Sequence, residues 1–440
     1  MRRIATKHLI EWKNSKARKP LILKGARQTG KTWILKEFGK KHFTNYHYFD
    51  FERNISRFIP VFESDLNPHN IIKNLTTLTN KKINIEDDLL IFDEIQNIPR
   101  ALTALKYFHE EIPEFAVCAA GSLLGIILTD ESFPVGKVQF LGLKPLNFEE
   151  FLINYNNDLL YEAYLEAWKN KKITQAIHLK LNDLLLQYLI TGGMPEIVNT
   201  YLRDKDFDTD VFNMVRKRQN DLVNSFQNDF SKHSGKNNAM HISTTYQNIP
   251  LQLARNIDGS VKRFRFKDVI KRKKGYAQLQ GPIEWLVNAE LIIKTHICNR
   301  AQIPLKAFCK ENIFKLYIND IGLLGTLLDL PPSAVLFDHY GFNKGFFMEN
   351  FVAQELKSVA QTQLYGWAHR NSEIEFLTIK GNHIIPVEVK SGLRTKAKSL
   401  QQYIIKYNPL QALVLSKKNF SNKNRKKINI PLYFAGKICI

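Results

Sequence analysis

The sequence predicts an α/β fold with more than one domain, and two patterns along the chain support this prediction. Between residues 20 and 120, short apolar runs alternate with stretches whose apolar residues have helical spacing. Such alternation is typical of a parallel sheet covered by helices on both faces. From Phe346 onward the pattern changes to a helix followed by three strand-like runs, which indicates a separate α/β unit. The 440 residues accommodate about three domains of roughly 150 residues each.

The individual elements are predicted from the same spacing rules. The first unit is expected to contain helices near 5–15, 33–38, 54–80 and 102–111, and strands over 20–24, 46–50, 88–92 and 115–120. Residues 150–230 have mostly helical spacing. Three helical stretches over 242–292, followed by apolar runs near 293–298 and 313–318, outline a winged helix. The last unit is expected to have a helix near 347–360 and strands over 364–368, 373–379 and 383–389.

Composition and charge narrow the classes of partner. Lys and Arg total 63 and Asp and Glu total 42, so the net charge is +21. A surplus of this size favours polyanionic partners such as nucleotide, nucleic acid or an anionic membrane surface. A solvated basic surface explains it equally well. The apolar fraction of 44% and the charged fraction of 24% exclude a wholly disordered or collagen-like chain.

The cysteine content and the apolar runs indicate a cytoplasmic protein. The cysteines have neither disulfide-framework nor metal-ligand spacing, which favours a reducing compartment; they are Cys118, Cys298, Cys309 and Cys439. Charged residues interrupt any signal-peptide core near the N-terminus, and the charge-free run over 116–129 is too short to span a bilayer. No membrane partner is therefore expected.

Residues 25–32, GARQTGKT, fit the phosphate-loop pattern G-x-x-x-x-G-K-[ST] and lie between a predicted strand and a predicted helix. The glycines let backbone N–H groups turn towards phosphate oxygens, and the helix N-terminus adds positive potential. We expect Lys31 to contact the β- and γ-phosphates of ATP and the hydroxyl of Thr32 to bind Mg²⁺. The expected nucleotide-binding residues are Gly25, Ala26, Arg27, Gln28, Thr29, Gly30, Lys31, Thr32 and Trp33.

The predicted strand over 88–92 leads into two carboxylates, Asp93 and Glu94. A parallel strand brings such residues to the carboxyl edge of the sheet, where α/β folds bind ligands. Asp93 is expected to hold the Mg²⁺ hydration shell, and Glu94 is expected to act as general base in a catalytic pair with Lys31. Ser122 follows the next strand and is a candidate sensor of the γ-phosphate or the attacking water; a loop serine with no role fits as well. Several cations are candidates for a charge-stabilising finger, and nothing in the sequence selects one: Arg27, Arg53, Arg100 and Lys137.

The order of motifs resembles a prokaryotic family of AAA+-like, STAND-related P-loop ATPases with a C-terminal domain of unknown function of the DUF4143 type. The resemblance is carried by GARQTGKT, LLIFDEIQNIP, the Gly-Ser after the next strand, PLNFEEFL, GGMPE, FKLYINDIGLL, EIEF and PVEVK. It implies an ATPase core over 1–155, a helical lid over 156–235, a winged-helix-like domain over 236–330 and a nuclease-like α/β domain over 331–440. It also implies a lid contact near the nucleotide for Gly192, Gly193 and Pro195, for which a helix-ending turn is an equal alternative.

Two of the last predicted strands carry acidic residues on either side of a turn at 380–383. In a hairpin centred between 381 and 382, Glu375 faces Glu388 and Glu373 faces Lys390, all on one face of the sheet. This layout resembles the restriction-endonuclease-like PD-(D/E)xK fold, which implies a Mg²⁺ site formed by Glu375, Glu388 and Lys390, with Glu349 completing the set. Glu375 stands where that motif usually has Asp. An active Mg²⁺ nuclease, an inactive nucleic-acid-binding relic and a structural role all stay open.

Residues 261–275 are strongly basic and contain a single acid, Asp268. Within a winged helix, this segment predicts a face that contacts nucleic-acid phosphates, with Gln278 and Gln280 near a recognition helix. A solvated face that only relays motion is the alternative. The cations are Lys262, Arg263, Arg265, Lys267, Lys271, Arg272, Lys273 and Lys274.

Together these features predict an ATP-binding, Mg²⁺-dependent ATPase that couples its nucleotide state to a winged-helix and nuclease-like tail, which contacts nucleic acid. One alternative is a nucleotide-gated binding switch with negligible turnover. Another is a Mg²⁺-dependent nuclease timed by the ATPase. A homo-oligomer is compatible with the sequence, which does not identify a substrate or a pathway.

Overall fold

The computed structural model describes residues 1–122, 134, 136–205, 210–255, 263–337, 344–360, 363–392, 398–424 and 426–438. The chain divides into two compact units, Met1–Lys144 and Pro145–Ile440. Three residues of the sequence analysis, Val261, Lys262 and Cys439, lie outside the described residues.

The first unit contains a parallel sheet of five strands in the order β2-β3-β4-β1-β5. Its strands are β1 (Leu21–Lys24), β2 (Tyr46–Asp50), β3 (Leu89–Asp93), β4 (Ala116–Gly121) and β5 (Gln139–Gly142). Its helices are α1 (Ala5–Lys13), α2 (Lys31–His42), α3 (Ile55–Glu63), α4 (Pro68–Thr79) and α5 (Pro99–Glu111), with a 3₁₀ turn over Ile95–Asn97. This arrangement confirms the predicted α/β class.

Apolar side chains cover both faces of this sheet. Successive residues of a strand point to opposite faces, so Ile22 packs in one core cluster while Leu21 and Leu23 pack in the other. The continuous apolar runs of the sequence are thereby explained, because a strand buried on both faces has no polar side. The sheet order also places β4, which leads into Ser122, beside β3, which ends at Asp93.

Helices make up most of the second unit before residue 290. They are α6 (Phe148–Asn154), α7 (Asp158–Asn170), α8 (Gln175–Thr191), α9 (Pro195–Asp204), α10 (Val211–Ser234), α11 (Lys236–Arg255) and α12 (Tyr276–Asn288). The later helices are α13 (Ile321–Leu327), α14 (Pro332–Leu336), α15 (Lys344–Val359) and α16 (Lys398–Tyr407), with 3₁₀ turns over Leu305–Phe308 and Leu432–Lys437.

The second unit contains one mixed sheet of eight strands in the order β12-β13-β11-β10-β9-β8-β6-β7. The strands are β6 (Ile292–Cys298), β7 (Cys309–Ile318), β8 (Leu364–His369), β9 (Ser372–Lys380), β10 (His383–Val389), β11 (Ala412–Ser416), β12 (Ser421–Asn424) and β13 (Lys427–Pro431). The hairpin expected as the wing of a winged helix forms as β6 and β7.

This hairpin is continuous with the C-terminal strands, because β6 pairs in parallel with β8 from Thr295 opposite Leu364 to Cys298 opposite Trp367. The expected boundary between 330 and 331 therefore does not separate two sheets. Among the described residues, no helix is both long enough and apolar enough to cross a bilayer.

Candidate nucleotide site and C-terminal carboxylate cluster

The phosphate loop joins β1 to α2. Gly30 has φ +89° and precedes the first residue of α2, and Gln28 has φ +61°. A Cβ atom on Gly25 would lie 2.2 Å from the carbonyl oxygen of Leu143. Glycine is required at position 25 by this close backbone approach, and Gly30 supplies a conformation that other residues rarely adopt.

Lys31 lies across this loop. Its Nζ atom donates hydrogen bonds to the carbonyl oxygens of Gly25 and Ala26, each over 2.9 Å, and only 6% of the residue is exposed. An ammonium group in this position lies beside the first backbone amides of α2, which the helix itself does not use as donors. The site is therefore electropositive and is shaped to receive an anion.

Asp93 and Thr32 meet although 61 residues separate them: the Thr32 hydroxyl donates to Oδ2 of Asp93 over 2.7 Å. The phenol of Tyr48 donates to the same oxygen over 2.9 Å. Burial and the neighbouring charge of Asp93 raise the pKa of Tyr48, so this phenol remains a donor. Tyr48 was not predicted as a site residue, because its partner lies 45 residues further along the chain.

These oxygens fit the metal that the motif implies. Mg²⁺ is commonly held by few protein oxygens, with water and substrate phosphates completing its coordination. Thr32 and Asp93 supply a hydroxyl and a carboxylate oxygen beside the phosphate loop. They are the residues that would hold the ion.

Glu94 follows Asp93 with φ +49° and ψ +47°, in the left-handed region. Its Oε2 atom accepts hydrogen bonds from the Ser122 hydroxyl, over 3.3 Å, and from the side-chain amide of Gln96. A left-handed conformation is uncommon for glutamate, and such residues cluster at functional sites. The candidate general base is thus oriented by two side chains, of which Gln96 was not predicted.

Other predicted residues of this site differ in exposure. Trp33 is 44% exposed, so its indole is accessible to a ligand, and Gln28 is exposed as well. Arg27 is half-buried and Ala26 is buried. Thr29 donates its hydroxyl to the Ala26 carbonyl over 2.9 Å, which closes the loop on itself.

Arg3, which was not predicted, stabilises the phosphate loop. Its guanidinium donates to the carbonyl oxygens of Thr29, over 2.9 Å, and of Lys144, over 2.6 Å. Two of the candidate finger cations are engaged elsewhere: Arg100 donates to the Phe62 carbonyl, and Lys137 pairs with Glu110.

The predicted glycine turn of the second unit ends α8. Gly192 has φ +67°, and its amide donates to the Tyr188 carbonyl over 2.7 Å. Gly193 donates its amide to Oδ2 of Asp320 over 2.6 Å, and Pro195 is the first residue of α9. These contacts agree with a helix-ending turn. A role of this turn in nucleotide binding stays a prediction.

The C-terminal hairpin has the register expected from its sequence. Ile384 lies opposite Ile379, and Val387 lies opposite Phe376. Glu375 and Glu388 are the next residues along the two strands, and after burial the charge of Glu388 is the main cause that raises the pKa of Glu375. Lys390 lies 2.5 Å from Oε1 of Glu388.

The structure brings Glu349 of α15 to the same cluster, together with a residue that was not predicted, Lys315 of β7. The Lys315 ammonium contacts the carboxylates of Glu349 and Glu373. Burial raises the pKa of Glu375 well above its usual range, and the facing Glu388 and Glu349 raise it further. Burial likewise raises the pKa of Glu388, against the opposing effect of Lys390.

Comparisons with known sequences find three family matches. Residues 17–152 match a family described as an AAA domain, residues 182–334 a domain of unknown function (DUF8612), and residues 344–434 a domain of unknown function (DUF4143). No curated protein matches the chain. The AAA and DUF4143 matches confirm the family that the motifs predict, while the nuclease-like fold of the C-terminal region stays a prediction.

Comparisons with solved structures find distant similarity. A STAND protein with a tetratricopeptide repeat sensor from Pyrococcus horikoshii is 14% identical, with a TM-score of 0.28, over 82% of this chain and 46% of its own length. The ORC1 protein from Aeropyrum pernix in complex with DNA is 11% identical, with a TM-score of 0.28, over 75% and 92% of the two chains. AMPPCP-bound DnaA from Aquifex aeolicus is 13% identical, with a TM-score of 0.30, over 65% and 87%.

Proposed function

Because residues 17–152 match an AAA domain and residues 344–434 match a DUF4143 domain, we propose that the first unit binds ATP with Mg²⁺ and hydrolyses it. The observation that carries this proposal is the contact of Thr32 with Asp93, over 2.7 Å, beside a phosphate loop crossed by Lys31. A nucleotide-binding motif alone predicts binding, whereas Asp93 followed by an oriented Glu94 supports hydrolysis.

Binding is attributed to the loop and its lysine. Backbone amides of residues 25–32 and the N-terminus of α2 hold the phosphates. On binding, Lys31 exchanges its hydrogen bonds to the Gly25 and Ala26 carbonyls for bonds to phosphate oxygens. Its ammonium group therefore moves only a short distance. When bound, Mg²⁺ neutralises charge on the β- and γ-phosphates.

Hydrolysis is attributed to Glu94 as the group that orients water and accepts its proton. Ser122 and Gln96 hold Oε2 of Glu94, which limits the rotamers of this side chain. Asp93 is engaged by Thr32 and Tyr48 and therefore serves as the metal-side acid rather than the base. The two adjacent carboxylates thus have different tasks.

The proposal is tested by separating binding from turnover. We expect Lys31→Ala to abolish binding of a fluorescent ATP analogue, and Glu94→Gln to retain binding while phosphate release falls by about 100-fold or more. Lys40→Ala, an exposed lysine of the same helix, and Glu86→Gln, an exposed acid, are the matched controls. Normal phosphate release by Glu94→Gln would show that the chain is not an ATPase of this type. Binding with no measurable wild-type turnover, with and without DNA, would favour the nucleotide-gated switch.

A second function, contact with nucleic acid, is favoured by the basic segment of the second unit. The described part of this segment has one acid, Asp268, and cations that are exposed: Arg263, Arg265, Lys267, Lys271, Arg272 and Lys274. The two glutamines expected near a recognition helix are engaged within the chain, because Gln278 accepts from the Lys274 amide and Gln280 donates to Glu311. We therefore propose phosphate contact without base recognition.

Salt dependence tests this second function. Binding of double-stranded DNA, followed by fluorescence anisotropy, is expected to weaken steeply between about 50 and 200 mM salt. Lys271→Glu with Lys274→Glu is expected to reduce that slope, while the exposed pair Lys81→Glu with Lys82→Glu makes the same charge change in the first unit. An equal reduction of the salt slope in both double variants would show that net charge alone attracts DNA. ATP turnover measured with and without DNA then tests whether the two functions are coupled.

A further inference from the structure

The C-terminal carboxylate cluster comprises Glu349, Glu373, Glu375 and Glu388, with Lys315 and Lys390. It draws its members from α15, β7, β9 and β10 and the residue after β10. Glu349, Glu388 and Lys315 are 5%, 3% and 4% exposed. Buried carboxylates in such proximity require positive charge or protons to be stable.

Lys315 supplies positive charge from inside the cluster. Its Nζ atom is 3.3 Å from Oε2 of Glu349 and forms a closer ion pair with Oε1 of Glu373. Burial lowers the pKa of Lys315, but the carboxylates of Glu349 and Glu373 outweigh this effect and raise the pKa well above its usual range. The residue is therefore a permanent cation whose ligands are carboxylates from a helix and a strand.

Glu375 and Glu388 each have a partner within the chain, while Oε2 of Glu388 is buried without a hydrogen-bond partner among the described residues. Glu375 accepts a hydrogen bond from the Val389 amide over 3.1 Å, and Glu388 pairs with Lys390 over 2.5 Å. The chain itself therefore supplies a donor or a cation to each of these two acids.

These residues do not fit the Mg²⁺ site implied by the nuclease resemblance. Mg²⁺ needs a position that oxygen ligands can surround in near-octahedral geometry, about 2.0–2.1 Å from the ion. In the part of the chain that the structure describes, no group of three or more His, Cys, Asp or Glu residues is placed to hold a metal ion. The space between Glu349 and Glu373 is taken by an ammonium group.

We propose that Lys315 is the resident cation of this cluster and takes the place of a divalent metal ion, so that the cluster is a metal-independent ion-pair junction. This junction connects β7 to α15 and β9, and its role is structural rather than hydrolytic. The junction depends on no property of the nucleotide site, so its test is independent of the proposed ATPase.

The first test is binding of Mn²⁺ to the full chain without nucleotide, measured by electron paramagnetic resonance. Asp93→Asn is used as the background, which removes the metal-side acid of the first unit. We expect no site tighter than about 1 mM, the weak limit of protein sites for divalent cations. A tighter site that disappears on adding Glu388→Gln would overturn the proposal, as would Mg²⁺-dependent DNA cleavage removed by Glu388→Gln.

The second test converts the junction into a metal site. In the same background, Lys315→Met keeps the side-chain length and removes the charge, so we expect Mn²⁺ affinity to rise by about tenfold or more. Adding Glu349→Gln should cancel this gain. Lys310→Met, an exposed lysine of the same strand, is the control and should bind no Mn²⁺. A folded Lys315→Met variant without gained affinity would contradict the assignment, and if this variant does not fold, the first test decides alone.

Discussion

The backbone amide of Gly193 donates a hydrogen bond to Oδ2 of Asp320 over 2.6 Å. Oδ1 of Asp320 meanwhile accepts from the Leu323 amide and caps α13. One buried carboxylate therefore holds both the turn after α8 and the start of α13. The hydrogen bond joins residues 127 positions apart. The GGMPE and YINDIGLL motifs therefore meet in one structural contact.

Replacing Gly193 by alanine is predicted to destabilise the second unit strongly. The added Cβ atom would lie 1.9 Å from the carbonyl oxygen of Leu146, a backbone atom that cannot rotate away. We expect a loss of about 3 kcal/mol in the free energy of unfolding, measured by urea denaturation.

Gly281→Ala is the control for this prediction. Nothing lies within 4 Å of a Cβ atom at Gly281, which is inside α12. We expect alanine there to change the free energy of unfolding by less than about 1 kcal/mol, because its gain in helix propensity is offset by the restriction that Pro282 imposes on the preceding residue. Similar losses in the two variants would mean that the close approach at Gly193 is not what requires glycine.

Stability is predicted to fall with rising pH because of Glu355. Its Oε1 atom accepts from the Phe148 amide over 2.9 Å, and burial raises its pKa from 4.5 to about 8. The folded state thus favours the protonated carboxyl group. This contribution is complete below about pH 4.5 and is lost as the pH rises through about 8.

Between about pH 6.5 and 8.5, the comparison with Glu355→Gln isolates this carboxyl group. Asp320, whose pKa burial raises to about 6, is already mostly ionised in this range. At 1.36 kcal/mol per pH unit, we expect the wild type to lose about 2 kcal/mol more than Glu355→Gln over this interval. Glu86→Gln, at an exposed site, should follow the wild type. Parallel curves for Glu355→Gln and the wild type would refute the prediction.

Features encoded locally were predictable from the sequence. β2 spans the predicted residues, and the β9–β10 register follows from a turn of only two residues in which Gly381 has φ +58°. Helical spacing over 54–80 was less specific, since Asn67 caps a new helix at Pro68 and splits the stretch into α3 and α4. Local pattern carries such information because strand period, turn chemistry and caps involve few consecutive residues.

Residues whose function depends on distant partners were not predictable. In the sequence, Tyr48 has the pattern of an ordinary strand residue. Only the pairing of β2 with β3 brings its hydroxyl to Asp93. Lys315 reads as part of an apolar strand, and its carboxylate partners Glu349 and Glu373 follow 34 and 58 positions later, in a helix and another strand. Gln96 lies within the recognised motif, but only the left-handed turn at Glu94 brings the two side chains together.

Ser122→Ala is predicted to slow hydrolysis without weakening nucleotide binding. The lost hydroxyl holds Oε2 of Glu94, so the base samples more orientations while Lys31 and the phosphate loop are unchanged. We expect kcat to fall about tenfold, with the dissociation constant of ATP unchanged. Ser56→Ala, at an exposed position of α3, is the control. A change in ATP affinity with normal kcat would instead assign Ser122 to phosphate contact.

Tyr48→Phe is predicted to raise the Mg²⁺ concentration that ATP turnover requires. The phenol and Thr32 donate to the same Oδ2 atom of Asp93, so removing one donor leaves this carboxylate less firmly oriented on the metal side of the site. The fold should persist, because the aromatic ring that lies 3.4 Å from the Lys36 ammonium is retained.

The measurement is the Mg²⁺ concentration that gives half-maximal turnover, which we expect to rise about tenfold in Tyr48→Phe, as for loss of a hydrogen bond to a charged group. Tyr46→Phe removes an exposed hydroxyl from the same strand and should leave that concentration unchanged. A fall in kcat at saturating Mg²⁺ with no change in the half-maximal concentration would place Tyr48 on the side of the general base. Because Tyr48 donates a hydrogen bond to Asp93, whereas the charge of Glu94 is the smallest cause of the raised pKa of Tyr48, the metal-side effect is the one expected.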